Sequence, residues 1–120
     1  MTLTTLLSTE NIVTQREAKV SRKIMDKLRM NGTFCFKVWG SAQMMAGLPD
    51  IIGCHKGMFF GLETKTPDKR DNTSSVQDRI MGMIRQAGGF TDVVCGPQEA
   101  WDKLELAYAS HIERLTDNDD

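Results

Sequence analysis

The sequence predicts an α/β domain in which a central mixed β-sheet is flanked by helices in the chain order αβββαβα. Three observations predict it. Val20, Ile24 and Leu28 recur every four residues, the spacing of one helical face. Phe34, Phe36 and Val38 alternate, and two apolar runs bracket His55-Lys56-Gly57, the pattern of strands joined by a tight turn. Val76, Ile80, Met83, Ile84 and Ala87 form a second helical stripe, followed by a short strand-like run and a further helix.

The first helix is expected over about Gln15 to Met30, with Asn31-Gly32 as its stop signal. Thr33 to Trp39 reads as a strand, and Gly40 to Leu48 as a loop with glycines near both ends. Pro49-Asp50 leads into the strand Ile51 to Cys54, and Met58 to Lys65 is its hairpin partner. Thr66 to Thr73 is a polar loop. Ser74 and Gln77 have capping-box spacing at the start of the second long helix, which Gly88-Gly89 ends. Phe90 to Cys95 is the last strand, and Gly96-Pro97 opens a helix carrying Ala100, Trp101, Leu104 and Tyr108 on one side. Residues 1–11 read as a flexible leader, 12–111 as one domain, and 112–120 as an acidic, disordered tail.

A chain of 120 residues with 40% hydrophobic content suits one domain with its own core. Its apolar runs are too short for a membrane span, and nothing resembles a secretory signal, so a cytoplasmic protein is expected. Cys35, Cys54 and Cys95 are odd in number and set among apolar residues, which suggests reduced core thiols. His55 and His111 read as surface residues. The formal net charge is -1, but the carboxylates of Glu113, Asp117, Asp119 and Asp120 lie at the C-terminal end, leaving the body mildly basic. Lys19, Arg22, Lys23, Lys27 and Arg29 cluster on the first helix, and Lys56, Lys69 and Arg70 flank the hairpin. Lys19, Lys23, Lys69 and Arg70 are candidate phosphate contacts, although a solvated helix face explains the first cluster equally well.

Strand alternation puts Glu63 and Lys65 on one face, and Asp50 stands at the start of the neighbouring strand. Two carboxylates can therefore converge beside an ammonium group. Such oxygen ligands suit Mg2+, with Mn2+ as a substitute, and the Thr64 backbone carbonyl could add a ligand. A divalent ion of this kind would promote phosphodiester hydrolysis, with Lys65 orienting or deprotonating the attacking water and stabilising the developing charge. At about 100° per residue, Glu17 falls on the apolar stripe of the first helix, so its carboxylate points toward the interior or a cleft. It is either a third acidic group near the metal or the capping-box partner of Thr14.

Taken together, Gly47-Leu48-Pro49-Asp50, then Gly57, then Leu62-Glu63-Thr64-Lys65 resemble the signature of the PD-(D/E)XK nucleases, and most closely its VRR-NUC branch. The resemblance includes Glu17 before the hairpin, and Ser75-Val76-Gln77 followed by Ala87-Gly88-Gly89 after it. It implies a restriction-endonuclease-like core, with Asp50, Glu63 and Lys65 as metal-binding and catalytic residues and Gln77 as an accessory group. Thr64 stands where an apolar residue is more usual. Archaeal junction-resolving nucleases of the same superfamily have a similar Gly-Ser before their Pro-Asp, which makes Ser41 a candidate DNA contact.

The resemblance implies a metal-dependent DNA endonuclease. With no module for reading bases, cutting is expected to be structure-selective, on junctions or branches, or as nicking. Stand-alone proteins of this kind are often encoded by phages, which would place this one in the host cytoplasm. Paired incisions on a four-way junction, as made by a Holliday junction resolvase, imply a homodimer. The alternatives are a noncatalytic junction-binding scaffold and a subunit that cuts only with a replication or recombination partner.

Overall fold

The computed structural model describes residues 9–40 and 44–117. Helix α1 spans Thr9–Met30 and precedes the strands β1 (Phe34–Lys37), β2 (Ile51–His55) and β3 (Met58–Thr64). Helix α2 (Ser75–Gln86), strand β4 (Phe90–Val94) and helix α3 (Pro97–Asp117) complete the domain. The predicted order αβββαβα is therefore observed. The four strands form one mixed sheet in the order β1-β2-β3-β4, antiparallel except for the parallel β3-β4 pair.

Both end helices are longer than expected. Helix α1 starts at Thr9, so the last residues of the predicted leader are helical and Thr14 lies within the helix. Once Ile24 and Leu28 have docked in the core, each added residue is cheap propagation rather than nucleation. The C-terminus of α1 falls where predicted, at Met30. There Thr33 N–H donates to Leu28 O at 3.0 Å and Gly32 N–H to Arg29 O at 3.0 Å, with Gly32 at a φ of 81°. That is a Schellman closure, and the left-handed Gly32 makes it inexpensive. Helix α3 runs through Asp117, so residues 112–117 are helical where a disordered tail was expected. The stripe through Leu104 and Tyr108 extends to Ile112, whose carbonyl accepts from Thr116 Oγ1 at 2.9 Å.

The core lies between α1, α3 and one face of the sheet. It joins Ile24 and Leu28 of α1 to Cys35, Ile51, Met58, Phe60, Leu62 and Val94 of the strands, and to Ala100 and Leu104 of α3. Each fully buried aliphatic or aromatic side chain here contributes about 1.5–3 kcal/mol. On the opposite face, α2 covers β3 and β4 with Ile80 and Met81, and Thr91 Oγ1 donates to Met81 O at 3.3 Å. Over β1 and β2 that face is exposed.

Two expectations from composition are corrected. His55 is only 3% exposed, not a surface residue: Trp101 and Tyr108 meet its ring edge-on, with centroids 5.6 and 5.3 Å away, and Thr33 Oγ1 lies 3.1 Å from Nδ1. Its Nε2 is 3.2 Å from Glu105 Oε1 but outside hydrogen-bond geometry. It shares the inward face with Met58, its cross-strand partner. Of the three thiols only Cys35 is buried; Cys54 is exposed because it points to the uncovered face. No helix among the described residues is long and apolar enough to cross a membrane.

Candidate active site

Packing of two glycines brings Asp50 to the end of the sheet. A Cβ on Gly61 would lie 2.7 Å from Pro49 Cγ, so only glycine lets the Pro49 ring settle onto β3. A Cβ on Gly47 would lie 2.8 Å from the Val76 carbonyl, and Gly47 has a φ of 84°. The loop is thereby fastened to the first turn of α2. Val38 N–H donates to Asp50 O at 2.7 Å, which carries the β1-β2 pairing one step further. Ile51 pairs with Leu62, so the same register sets Asp50 opposite Glu63. Cross-strand neighbours of this kind hold their Cβ atoms about 4.5–5.5 Å apart.

The Asp50 carboxylate is held from beneath. Its Oδ2 accepts from the Thr64 amide at 2.9 Å and from Thr64 Oγ1 at 2.8 Å. With the Thr64 proton committed to Asp50, the buried Ser21 hydroxyl 2.6 Å away must donate to Thr64 Oγ1. Ser21 Oγ in turn accepts from Lys37 Nζ at 3.1 Å. The same ammonium lies 3.9 Å from Asp50 Oδ1. Lys37, Ser21, Thr64 and Asp50 thus form a chain with one consistent donor direction.

Glu63 is more enclosed, its side chain 4% exposed. Gln77 Nε2 donates to its Oε1 at 3.1 Å, and Lys65 Nζ lies 3.9 Å from that oxygen. Burial first, then the charge and hydrogen bonding of Asp50, push the Glu63 carboxyl up to about 8, partly offset by Lys65 and Lys37. Two carboxylates sharing so small a space retain a proton between them well above the usual range. A divalent cation would replace that proton, so the donor set fits a hard metal ion.

The predicted residues fall into three groups. Asp50, Glu63, Thr64, Lys65 and Gln77 come together. Gln77 has both roles considered for it: its Oε1 accepts from Ser74 N–H at 2.9 Å in a capping box while its Nε2 reaches Glu63. Glu17 is half-buried, one helical turn before Ser21 and on the same side of α1. Its capping-box reading is corrected, because Thr14 is interior to the helix. No group of three or more carboxylate, histidine or cysteine side chains suited to a metal occurs among the described residues, so Glu17 does not join Asp50 and Glu63 as a third ligand.

The proposed DNA contacts are scattered. Lys19 and Lys23 are exposed on α1, and Lys69 is half-buried. Arg70 is engaged with Glu99 at 2.6 Å, which ties the loop before α2 to the first turn of α3. Ser41 lies outside the described residues.

Sequence reasoning missed Lys37 and Ser21. Both carried a legible signal: Ser21 is a polar residue on the Ile24-Leu28 stripe, and Lys37 shares the inward face of β1 with Cys35.

No protein-family model matches the chain, and no curated protein matches it. Among solved structures, one described as a VRR_NUC domain superimposes with a TM-score of 0.58 at 22% identity, covering 75% of this chain and 95% of that one. The agreement spans the mixed sheet and its flanking helices, and on it the chain has the fold of the VRR-NUC family.

Proposed function

We propose that this protein is a VRR-NUC nuclease, a magnesium-dependent endonuclease that hydrolyses phosphodiester bonds in DNA and accepts Mn2+ in place of Mg2+. The reading rests above all on the convergence of Asp50 and Glu63 beside Lys65, close enough for Glu63 to hold its proton to about 8. Asp50, Glu63 and the Thr64 carbonyl would hold the ion. The amide and carbonyl of a strand residue face the same side, and the Thr64 amide faces Asp50. When bound, such an ion supplies Lewis-acid stabilisation of the phosphate and a more acidic water.

The side chains around it have separable tasks. Lys65 orients the attacking water and stabilises negative charge that builds on the phosphoryl oxygens as the P–O bond breaks. Gln77 fixes the Glu63 carboxylate by its amide. Thr64 and Ser21 fix Asp50, and Lys37 adds a second ammonium beside it. Glu17, one turn from Ser21, acts through water rather than as a direct ligand.

The substrate is branched or junction DNA, and the protein works in the cytoplasm as a homodimer so that two strands are cut together. Cleavage mapping on a panel of linear duplex, flap and four-way junction DNA tests this, with Asp50→Asn as control. Symmetric metal-dependent nicks across the junction are expected. Equal nicking of every duplex would remove structure selectivity, and junction binding without cleavage would overturn the enzyme reading in favour of a scaffold. Rescue of an inactive protein by a replication partner would make it a dependent subunit.

A further inference from the structure

The uncovered part of the sheet carries an unusual set of side chains. Phe34 is 67% exposed and Phe36 is 46% exposed, while Phe59 is 44% exposed. Trp39, just beyond β1, is 75% exposed. Register places them in rows across the sheet. Phe34 pairs with Cys54 and Cys54 with Phe59, while Phe36 pairs with Ile52 and Ile52 with Gly61. The next row in the same direction is Val38, Asp50 and Glu63, the candidate catalytic row. The Phe34 and Phe36 rings meet at 6.1 Å between centroids, tilted by 57°, so they form one continuous aromatic tile.

The spacing of these rows suits a nucleic acid. Successive same-face residues of a strand are about 7 Å apart, which puts the first row about 14 Å from the catalytic one. A stacked nucleotide strand rises about 3.4 Å per base, and opening it to admit an aromatic ring between bases doubles that rise to about 7 Å. The two periods match. The composition also favours bases over a second protein surface, because the exposed groups are flat rings rather than aliphatic side chains. Neither aromatic row carries a carboxylate to repel phosphate; the acidic groups begin only at the catalytic row. The Arg29 guanidinium, which donates to Cys35 O at 3.0 Å, stands at the rim of β1 as a phosphate partner.

We infer that the open face of β1-β2 is a stacking platform for unpaired nucleotides, on which Phe34, Phe36 and Trp39 guide a single-stranded segment toward Asp50 and Glu63. This rests on the nuclease reading and narrows its substrate to DNA in which a single strand lies next to the scissile bond, as at a flap or an open branch point. Bases stack on the rings; the sugar-phosphate backbone follows the row spacing into the site.

The test uses the full-length protein without divalent metal, so that nothing is cut. A short fluorescein-labelled oligothymidylate and a blunt duplex are titrated, with anisotropy giving affinity and Trp39 emission reporting stacking, the Trp39→Phe variant serving as blank. Oligothymidylate is expected to quench Trp39. The double variant Phe34→Leu/Phe36→Leu, which keeps apolar surface but loses the rings, should weaken oligothymidylate binding about tenfold or more relative to the duplex. Phe34→Tyr/Phe36→Tyr should stay within about threefold, since stacking survives. Both phenylalanines are surface residues, so folding is not at stake, and circular dichroism checks it.

Equal oligothymidylate affinity in the leucine and tyrosine variants would overturn the inference. So would self-association in sedimentation that Phe36→Glu abolishes while oligothymidylate binding ignores the rings, a result that assigns the face to a second copy of the chain. Binding is read without cleavage. A failed platform therefore leaves the nuclease reading intact, and absent nicking with ring-dependent binding would sink the nuclease reading alone.

Discussion

Gln77 is a sharp place to separate folding from chemistry, because its two side-chain atoms serve different ends. Its Oε1 accepts from Ser74 N–H at 2.9 Å and its Nε2 donates to Glu63 Oε1 at 3.1 Å. Gln77→Ala removes both bonds. The cap is exposed and contributes about 0.5–1 kcal/mol, and the donor to a nearly buried carboxyl adds roughly 1 kcal/mol, giving a loss of about 1–2 kcal/mol. For a domain of this size that lowers Tm by about 4–8 °C. Gln77→Glu retains the cap acceptor, as glutamate does in ordinary capping boxes, but replaces the donor to Glu63 with a carboxylate. It should melt within about 2 °C of the parent at pH 6. Both variants should nonetheless nick DNA about tenfold more slowly at saturating Mg2+, because both leave Glu63 unheld. Thermal melts in EDTA and initial rates on supercoiled plasmid measure the two effects. A fully active Gln77→Glu, or a Gln77→Ala whose loss of activity is accounted for by the fraction unfolded, would refute this assignment.

Glu63 gives the metal-free protein a pH dependence of definite sign. Its carboxyl ionises near 4.5 when unfolded and near 8 when folded, so folding favours the proton. Stability in EDTA should be greatest below pH 4.5 as far as this group is concerned, fall between there and 8, and level off above. Glu63→Gln should remove that slope in denaturant titrations, and a slope that persists would contradict it. Mg2+ affinity by calorimetry should rise with pH up to about 8, since binding releases the proton. Ser21→Ala breaks the buried chain to Asp50 and should cost about 1–2 kcal/mol by urea denaturation, with Ser21→Thr restoring most of it if its methyl is accommodated. His55→Ala removes a ring packed between Trp101 and Tyr108 and should cost about 2–4 kcal/mol; an unchanged urea midpoint would mean that the cluster is not structural.

Much of this architecture was legible because periodicity and turn chemistry agreed. The α1 stripe, the hairpin and the Ser74-Gln77 cap each come from local rules, and the structure has all three. The Pro49-Asp50 and Glu63-Thr64-Lys65 pairing was legible for the same reason, since a two-residue turn at Lys56-Gly57, both at positive φ, fixes the hairpin register that sets Asp50 opposite Glu63. The misses are of another kind. Lys37 reaches Asp50 from a third strand, and Ser21 reaches Thr64 from a helix 43 residues earlier, contacts set by tertiary packing rather than by spacing. His55 was misplaced because its burial depends on Trp101 and Tyr108 of α3 closing over it. The helix ends were misjudged because propagation past a docked core leaves no strong sequence mark.

If Asp50 and Glu63 together hold the ion that makes this site hydrolytic, removing one carboxylate charge must silence it. Supercoiled-plasmid nicking by the protein and its Asp50→Asn variant, each in Mg2+ and in EDTA, isolates that charge, because asparagine can still accept from the Thr64 amide and hydroxyl. Nicking is predicted only for the parent in Mg2+, with Asp50→Asn slower by at least about a hundredfold. Nicking that persists in EDTA, or that Asp50→Asn leaves intact, would contradict a two-carboxylate metal site.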